Sequence, residues 1–164
     1  MKTSTFFKQA TLCIALGFMA FALSAQTIIT ADNNPGATAA HTTAQSAHDA
    51  ATAGDIIYLQ PSSTSYGNLT IDKAITVVGR SHSEPGKVSK IGRITPRASN
   101  ITLKGLEISS FYASSYSGAP TPPPYSGLNI EECEINSTFY LGTTSSLTSP
   151  SNIDDIVIRG CVIN

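Results

Sequence analysis

Four stretches of this chain can be laid under one another: Ile75-Thr-Val-Val-Gly-Arg80, Ile101-Thr-Leu-Lys-Gly-Leu-Glu-Ile108, Leu128-Asn-Ile-Glu-Glu-Cys-Glu-Ile135 and Ile156-Val-Ile-Arg-Gly-Cys-Val-Ile163. They begin at residues 75, 101, 128 and 156, so 26, 27 and 28 residues apart. A regular period in this range marks a solenoid, in which each repeat buries its apolar face only against its neighbours. In the last three copies, aliphatic or thiol side chains fall at the first, third, sixth and eighth positions, with Gly105, Glu132 and Gly160 at the fifth. Two short alternating strands joined by a one-residue bend send those four positions to the same side. The predicted inward set is therefore Ile101, Leu103, Leu106, Ile108; Leu128, Ile130, Cys133, Ile135; and Ile156, Ile158, Cys161, Ile163. A β-sandwich also has many short strands, but its turn signals recur every roughly 8 to 12 residues and need not repeat in composition. The pattern predicts an all-β chain: a right-handed parallel β-helix.

The segment before the repeats reads as an entry and a lid. Thr27-Ile-Ile-Thr30 predicts a short strand, and Asp32-Asn-Asn-Pro-Gly36 a turn. Residues 38–53 are rich in alanine and lack glycine and proline, which predicts a short capping α-helix with Ala44, Ala47, His48 and Ala51 on one face, stopping at Gly54. Such a helix keeps the open edge of the first rung from pairing with other chains. The run Ala47-His-Asp-Ala-Ala-Thr-Ala-Gly-Asp-Ile-Ile-Tyr-Leu59, followed by Ser65-Tyr-Gly-Asn-Leu-Thr-Ile-Asp-Lys-Ala-Ile-Thr-Val-Val-Gly79, resembles the N-terminal entry of bacterial pectin-lyase-like β-helix proteins. The resemblance covers roughly residues 27–109 and the later rungs by pattern alone. It implies the β-helix fold, in a family that spans lyases, hydrolases, epimerases and proteins without catalysis. It does not extend to that family's calcium-binding aspartate cluster or catalytic arginine motif.

Residues 1–25 read as an export signal: Lys2 and Lys8 form a basic start, Ala10 to Leu23 an apolar stretch, and Ala22-Leu-Ser-Ala25 a small-residue cleavage site. That stretch is too short and wrongly flanked to span a membrane. The expectation is a secreted or cell-surface β-helix domain over residues 26–164, with its lid over about 26–54 and rungs over about 55–164. Cys133 and Cys161 share one inward position a rung apart. Their spacing admits a disulfide, and two stacked core thiols acting as small hydrophobes is the preferred reading. The chain given stops directly after an inward strand, so a C-terminal continuation or capping module is expected.

Charge separates along the chain. Lys73, Arg80, Lys87, Lys90, Arg93, Arg97 and Lys104 face only Glu84 within their own stretch, and from Gly105 onward acidic residues dominate. Without Lys2 and Lys8, eight basic residues stand against eleven acidic ones, which argues against general nucleic-acid binding. The outward positions are where such a fold works. Position four carries Val78, Lys104, Glu131 and Arg159, and position seven Ser81, Glu107, Glu134 and Val162.

Two readings of those columns follow. One is a ladder of exposed ion pairs, each contributing little. The other is a polysaccharide site, for an acidic polymer drawn by the basic band, with Arg93 and Arg97 expected in the loop before the second rung. Eliminative cleavage of a uronate needs a base and a cation, for which Lys104 and Arg159 are nearest; hydrolysis needs paired carboxylates, here Glu107 with Glu134 or Glu131. Tyr112, Tyr116 and Tyr125 offer an aromatic platform for sugar rings. Two insertions, residues 111–125 and 137–152, are expected to be loops, and Asn136 and Asn164 to form an inward amide ladder. His41 and His48 lack a third ligand and read as surface residues; no metal or cofactor is expected. The leading expectation is an exported, non-catalytic glycan-binding or adhesive scaffold. The alternative is the N-terminal part of a polysaccharide lyase or glycoside hydrolase.

Overall fold

The computed structural model describes residues 25–115, 125–143 and 153–164. The export signal read over 1–25 and Tyr116 therefore lie outside the described residues, apart from Ala25. The chain is a right-handed parallel β-helix of about four turns with one short helix, α1 (Ala44–Ala50). Six parallel strands form the first sheet: β1 (Ile28–Ala31), β2 (Ile56–Leu59), β4 (Thr76–Gly79), β6 (Thr102–Lys104), β9 (Asn129–Glu131) and β12 (Val157–Arg159). The second holds β3 (Leu69–Ile71), β5 (Lys90–Pro96), β7 (Glu107–Ser115), β10 (Glu134–Thr143) and β13 (Val162–Ile163). A small third pair joins β8 (Tyr125–Ser126) to β11 (Ile153–Asp154).

Like residues stack as the repeat requires. Ile57, Val77, Leu103, Ile130 and Ile158 are register partners down the first sheet, and Ile91, Ile108, Ile135 and Ile163 down the second. All are buried except Ile158 and Ile163, which stand 38% and 50% exposed on the last rung. The bend at position five is left-handed in the last three copies, where Gly105, Glu132 and Gly160 have φ of 64°, 51° and 60°; Gly79, at the same position of the first copy, ends β4 without it. A left-handed residue also opens these three rungs, at Asn100, Gly127 and Asp155. These residue types tolerate that backbone or, in the case of Glu132, are held there by the stacked rungs.

The structure corrects several expectations. Glu107 stacks on Lys90 and not on Ser81, because Ser81 bridges to Val88 in an excursion between β4 and β5. Arg93 lies within β5 and Arg97 directly follows it, so neither belongs to a loop before the rung. Residues 111–115 and 137–143, read as the starts of loops, continue β7 and β10. Those strands turn a corner, so inward residues fall three apart: Ile91 and Ile94, and Ile108 and Phe111, are all buried. β10 carries one extra residue at this corner, between Ile135 and Thr138. Plain alternation puts the asparagine ladder outside, since Asn136 and Asn164 directly follow the inward positions Ile135 and Ile163: Asn164 Nδ2 donates to Asn136 Oδ1 at 3.1 Å, and both residues are exposed.

The lid is shorter than expected and its histidine is buried. His41 bridges to Ala31 in a parallel contact, which holds the preceding chain extended. The helix starts only after Thr43, whose hydroxyl caps the Ser46 N–H at 3.1 Å. Ala44, Ala47, His48 and Ala51 are all buried, as the helix face required, so His48 is no surface residue. Its side chain serves the edge strand. Gln45 Oε1 accepts the Thr70 N–H at 2.9 Å and His48 Nε2 accepts the Asp72 N–H at 3.3 Å, so edge donors on and just after β3 are satisfied by the lid.

Lys73 fixes the other end of the helix, its ammonium donating to the carbonyls of His48 at 2.9 Å, Asp49 at 3.3 Å and Ala51 at 2.9 Å. Lys73→Met keeps the stem and removes the donors, and is expected to lower stability by about 1–2 kcal/mol in urea unfolding.

Asp55, 4% exposed, ties the lid to the first rung. It accepts the Thr52 N–H at 2.7 Å, the Thr52 hydroxyl at 2.8 Å and the Thr27 N–H at 2.9 Å. The Thr52 backbone bond first, and the Thr27 bond next, hold its carboxyl below the ordinary 3.8. A depressed folded pKa gives stability that is complete above the ordinary value and is lost as pH falls through the depressed one. Asp55→Asn should therefore be the less stable protein at neutral pH. It should also lose less than the parent in urea midpoints between about pH 5 and pH 2.

Candidate functional site

The corner at position five divides the outward candidates into two groups. On the first sheet, Lys104, Glu131 and Arg159 stack in successive strands. Lys104 Nζ lies 3.4 Å from Glu131 Oε2 and 3.9 Å from Glu132 Oε2, and the Arg159 guanidinium donates to Glu131 Oε1. Asn129 Nδ2 also donates to Glu131 Oε1 at 3.1 Å. The Asn129 amide foremost, then Arg159, holds the Glu131 carboxyl below its usual value. Glu131 thus sits as a carboxylate between two cations. This column has the bonding of an ion-pair ladder, and all three members already hold partners.

On the second sheet, Glu107 and Glu134 are register partners, but each has its own neighbour. Lys90 Nζ lies 3.6 Å from Glu107 Oε2, and Asn136 Nδ2 donates to Glu107 Oε1 at 3.3 Å. Asn164 Nδ2 donates to Glu134 Oε1 at 3.1 Å. The five charged candidates therefore form two separately bonded networks.

A different feature occupies the far part of the second sheet. Here strand alternation sends one aromatic file inward and its neighbour outward. Phe111 and Phe139 stack inside with ring centroids 5.4 Å apart. Tyr112 and Tyr140 stack outside at 4.7 Å and 19° between planes. The Arg93 guanidinium lies over the Tyr112 ring, 5.8 Å from its centroid. Arg93 is exposed and the two tyrosines half-buried; Arg93 pairs with Ser110, two residues before Tyr112, so its guanidinium reaches diagonally over a tyrosine pair that stacks along the solenoid axis. Among the described residues no carboxylate lies within ion-pair distance of Arg93. The Asn68 side chain accepts the Arg93 N–H at 2.8 Å and so pins the backbone of that cation to the preceding rung.

Arg97 follows β5, with its N–H donating to the Ile71 carbonyl at 2.6 Å. Lys90, at the start of the same strand, borders a cleft of about 350 Å³ lined with Asn34, Ser62, Val88 and Glu107. Strand β5 thus carries Lys90 and Arg93 on its outer side, beside Arg97. Of the predicted tyrosine platform, only Tyr112 belongs to this file; Tyr125 lies in β8 of the third pair, and Tyr116 outside the described residues. Tyr140 was missed because its segment is rich in serine and threonine. The signal was present all the same: Phe139-Tyr140 follows Phe111-Tyr112 by 28 residues, one period of the repeat.

Among the described residues there is no group of three or more histidine, cysteine or acidic side chains able to hold a metal, and no helix long and apolar enough to cross a membrane. Compared with protein-family models, curated proteins and solved structures, the chain matches none.

Proposed function

We propose that this β-helix is an exported, non-catalytic module that binds acidic polysaccharide along the outer face of its second sheet. The single observation behind this reading is the stack of Arg93, Tyr112 and Tyr140. The Arg93 guanidinium, with no carboxylate partner among the described residues, matches a uronate carboxylate with two parallel hydrogen bonds. Phenol hydroxyls beside it donate to and accept from sugar hydroxyls, and the outward edges of the stacked rings add apolar surface for the sugar's C–H groups. The rungs repeat at about 4.8 Å, so the face is a straight, rigid track suited to an extended chain. Lys90 and Arg97 on the same side add long-range attraction for a polyanion. The resemblance to pectin-lyase-like proteins and the export signal read from residues 1–25 both fit a protein that meets such polymers outside the cell.

The non-catalytic part of the reading rests on Lys104, Glu131 and Arg159 being bonded to one another, which leaves neither cation unengaged to serve as base or carboxylate clamp. The test pairs binding with turnover on the same material. Oligogalacturonate is expected to bind, its methyl ester to bind more weakly, and added salt to weaken only the former. No unsaturated or new reducing ends should appear on long incubation. Their release would put the lyase or hydrolase reading in place of this one, and equal binding of acid and ester would remove the role given to Arg93.

A further inference from the structure

We infer that Cys133 and Cys161 are a reactive dithiol, which a disulfide oxidant converts into a bond stapling the last rung to the one before it. The two residues occupy equivalent places in consecutive rungs. Each stands two residues after a register partner, Glu131 or Arg159, and one before another, Glu134 or Val162. The Val162 N–H donates to the Cys133 carbonyl at 2.9 Å, which locks the two rungs together at this point. The side chains leave the backbone in the same way: Cys133 Sγ lies 3.2 Å from the Glu131 carbonyl and Cys161 Sγ 3.3 Å from the Arg159 carbonyl. Stacked parallel strands stand about 4.8 Å apart. That falls inside the Cα separation of roughly 4.4–6.8 Å that a disulfide bridges. Both thiols are free.

Their exposure sets the order of events. Cys133 is fully buried, and burial pushes its thiol up to about 12, whereas Cys161 is half-buried. The Cys161 thiolate attacks one sulfur of the oxidant's disulfide, forming a mixed disulfide and expelling the other sulfur as a thiolate. Cys133 then attacks the Cys161 sulfur and its proton passes to the second departing sulfur. Two protein thiols become one disulfide, and the oxidant's disulfide becomes two thiols.

The experiment uses the full chain and oxidised glutathione as the probe, followed by alkylation and tryptic digestion without reductant. Arg159 lies between the two cysteines, and no other lysine or arginine follows Gly105, so Cys133 and Cys161 fall in separate peptides, 105–159 and 160–164. The expected result is these peptides joined and separable by reduction. The link should persist in Cys13→Ser, which changes the cysteine inside the export signal read over residues 1–25, be lost in Cys161→Ser, and at one fixed ratio of oxidised to reduced glutathione be more complete at equilibrium in native protein than in urea. Recovery of both cysteines alkylated, of Cys161 only as its glutathione adduct, or of a link no more complete in native protein than in urea overturns the inference.

Discussion

Replacing Phe111 by alanine is expected to lower the stability of this protein by about 3–5 kcal/mol, the usual loss for emptying a buried aromatic site. Phe111 is fully buried at the corner of the second sheet and stacks on Phe139 of the next rung. Rungs above and below are fixed in register by their own backbone bonds, so they cannot collapse into the space left behind. Because domains of this size are stable by only about 5–15 kcal/mol, much of the margin would go. Phe111→Leu fills most of the volume and should lose far less. Urea unfolding of the two variants checks this; equal midpoints would mean that the aromatic file does not hold the rungs together.

The second large effect concerns space. A Cβ added at Gly79 would stand 2.5 Å from the Gly105 carbonyl oxygen and 2.8 Å from both Leu106 Cδ2 and Ser89 Cβ. The first of these is backbone in the next rung and cannot rotate away, so Gly79→Ala must push two turns of the helix apart. Overpacking of this kind costs about 1–3 kcal/mol, and Gly79→Val should exceed it. Thr76→Ala, on the outer side of the same strand, is the control and should change little. A Gly79→Ala protein with the parent's urea midpoint would show that β4 and β6 are not as close as described.

The contrast between what the repeat disclosed and what it concealed has a simple physical basis. Where alternation is strict, as from Ile101 to Ile108 and from Leu128 to Ile135, side-chain direction follows from residue number, and every inward assignment in those two copies is buried. Where the chain turns a corner the phase changes from two to three. Phe111 accordingly lies inward three residues after Ile108, whereas Asn136, expected inward at a bend, simply alternates from Ile135 and points outward, bonded to Glu107. The excursion before β5 defeats counting in a different way, because it shifts the partner of Glu107 from Ser81 to Lys90.

Composition misled where period did not. Alanine richness suggested a helix over 38–53, but the pairing of His41 with Ala31 delays its start to Ala44. Serine and threonine suggested a loop from Ser137, but Phe139 and Tyr140 continue the sheet. The candidate face was thus half legible: Arg93 and Tyr112 stood out by residue type, whereas Tyr140 needed the period to be carried across an apparent insertion. The grouping of Lys104, Glu131 and Arg159 followed directly from position four. Their separation from Glu107 and Glu134 depends on the corner that lies between.

The claim that matters most is that acidic glycan lies against Arg93, Tyr112 and Tyr140. Titration of oligogalacturonate into the parent and into Arg93→Gln, Tyr140→Ala and Lys104→Gln, by calorimetry at low salt, tests it most directly. Loss of a charge-assisted hydrogen bond predicts roughly a 10-fold or greater drop in affinity for Arg93→Gln. Tyr140→Ala should fall by about 2–10-fold, with Lys104→Gln close to the parent. Unchanged affinity in the first two, or a loss confined to Lys104→Gln, would contradict the account and move the binding surface to the first sheet.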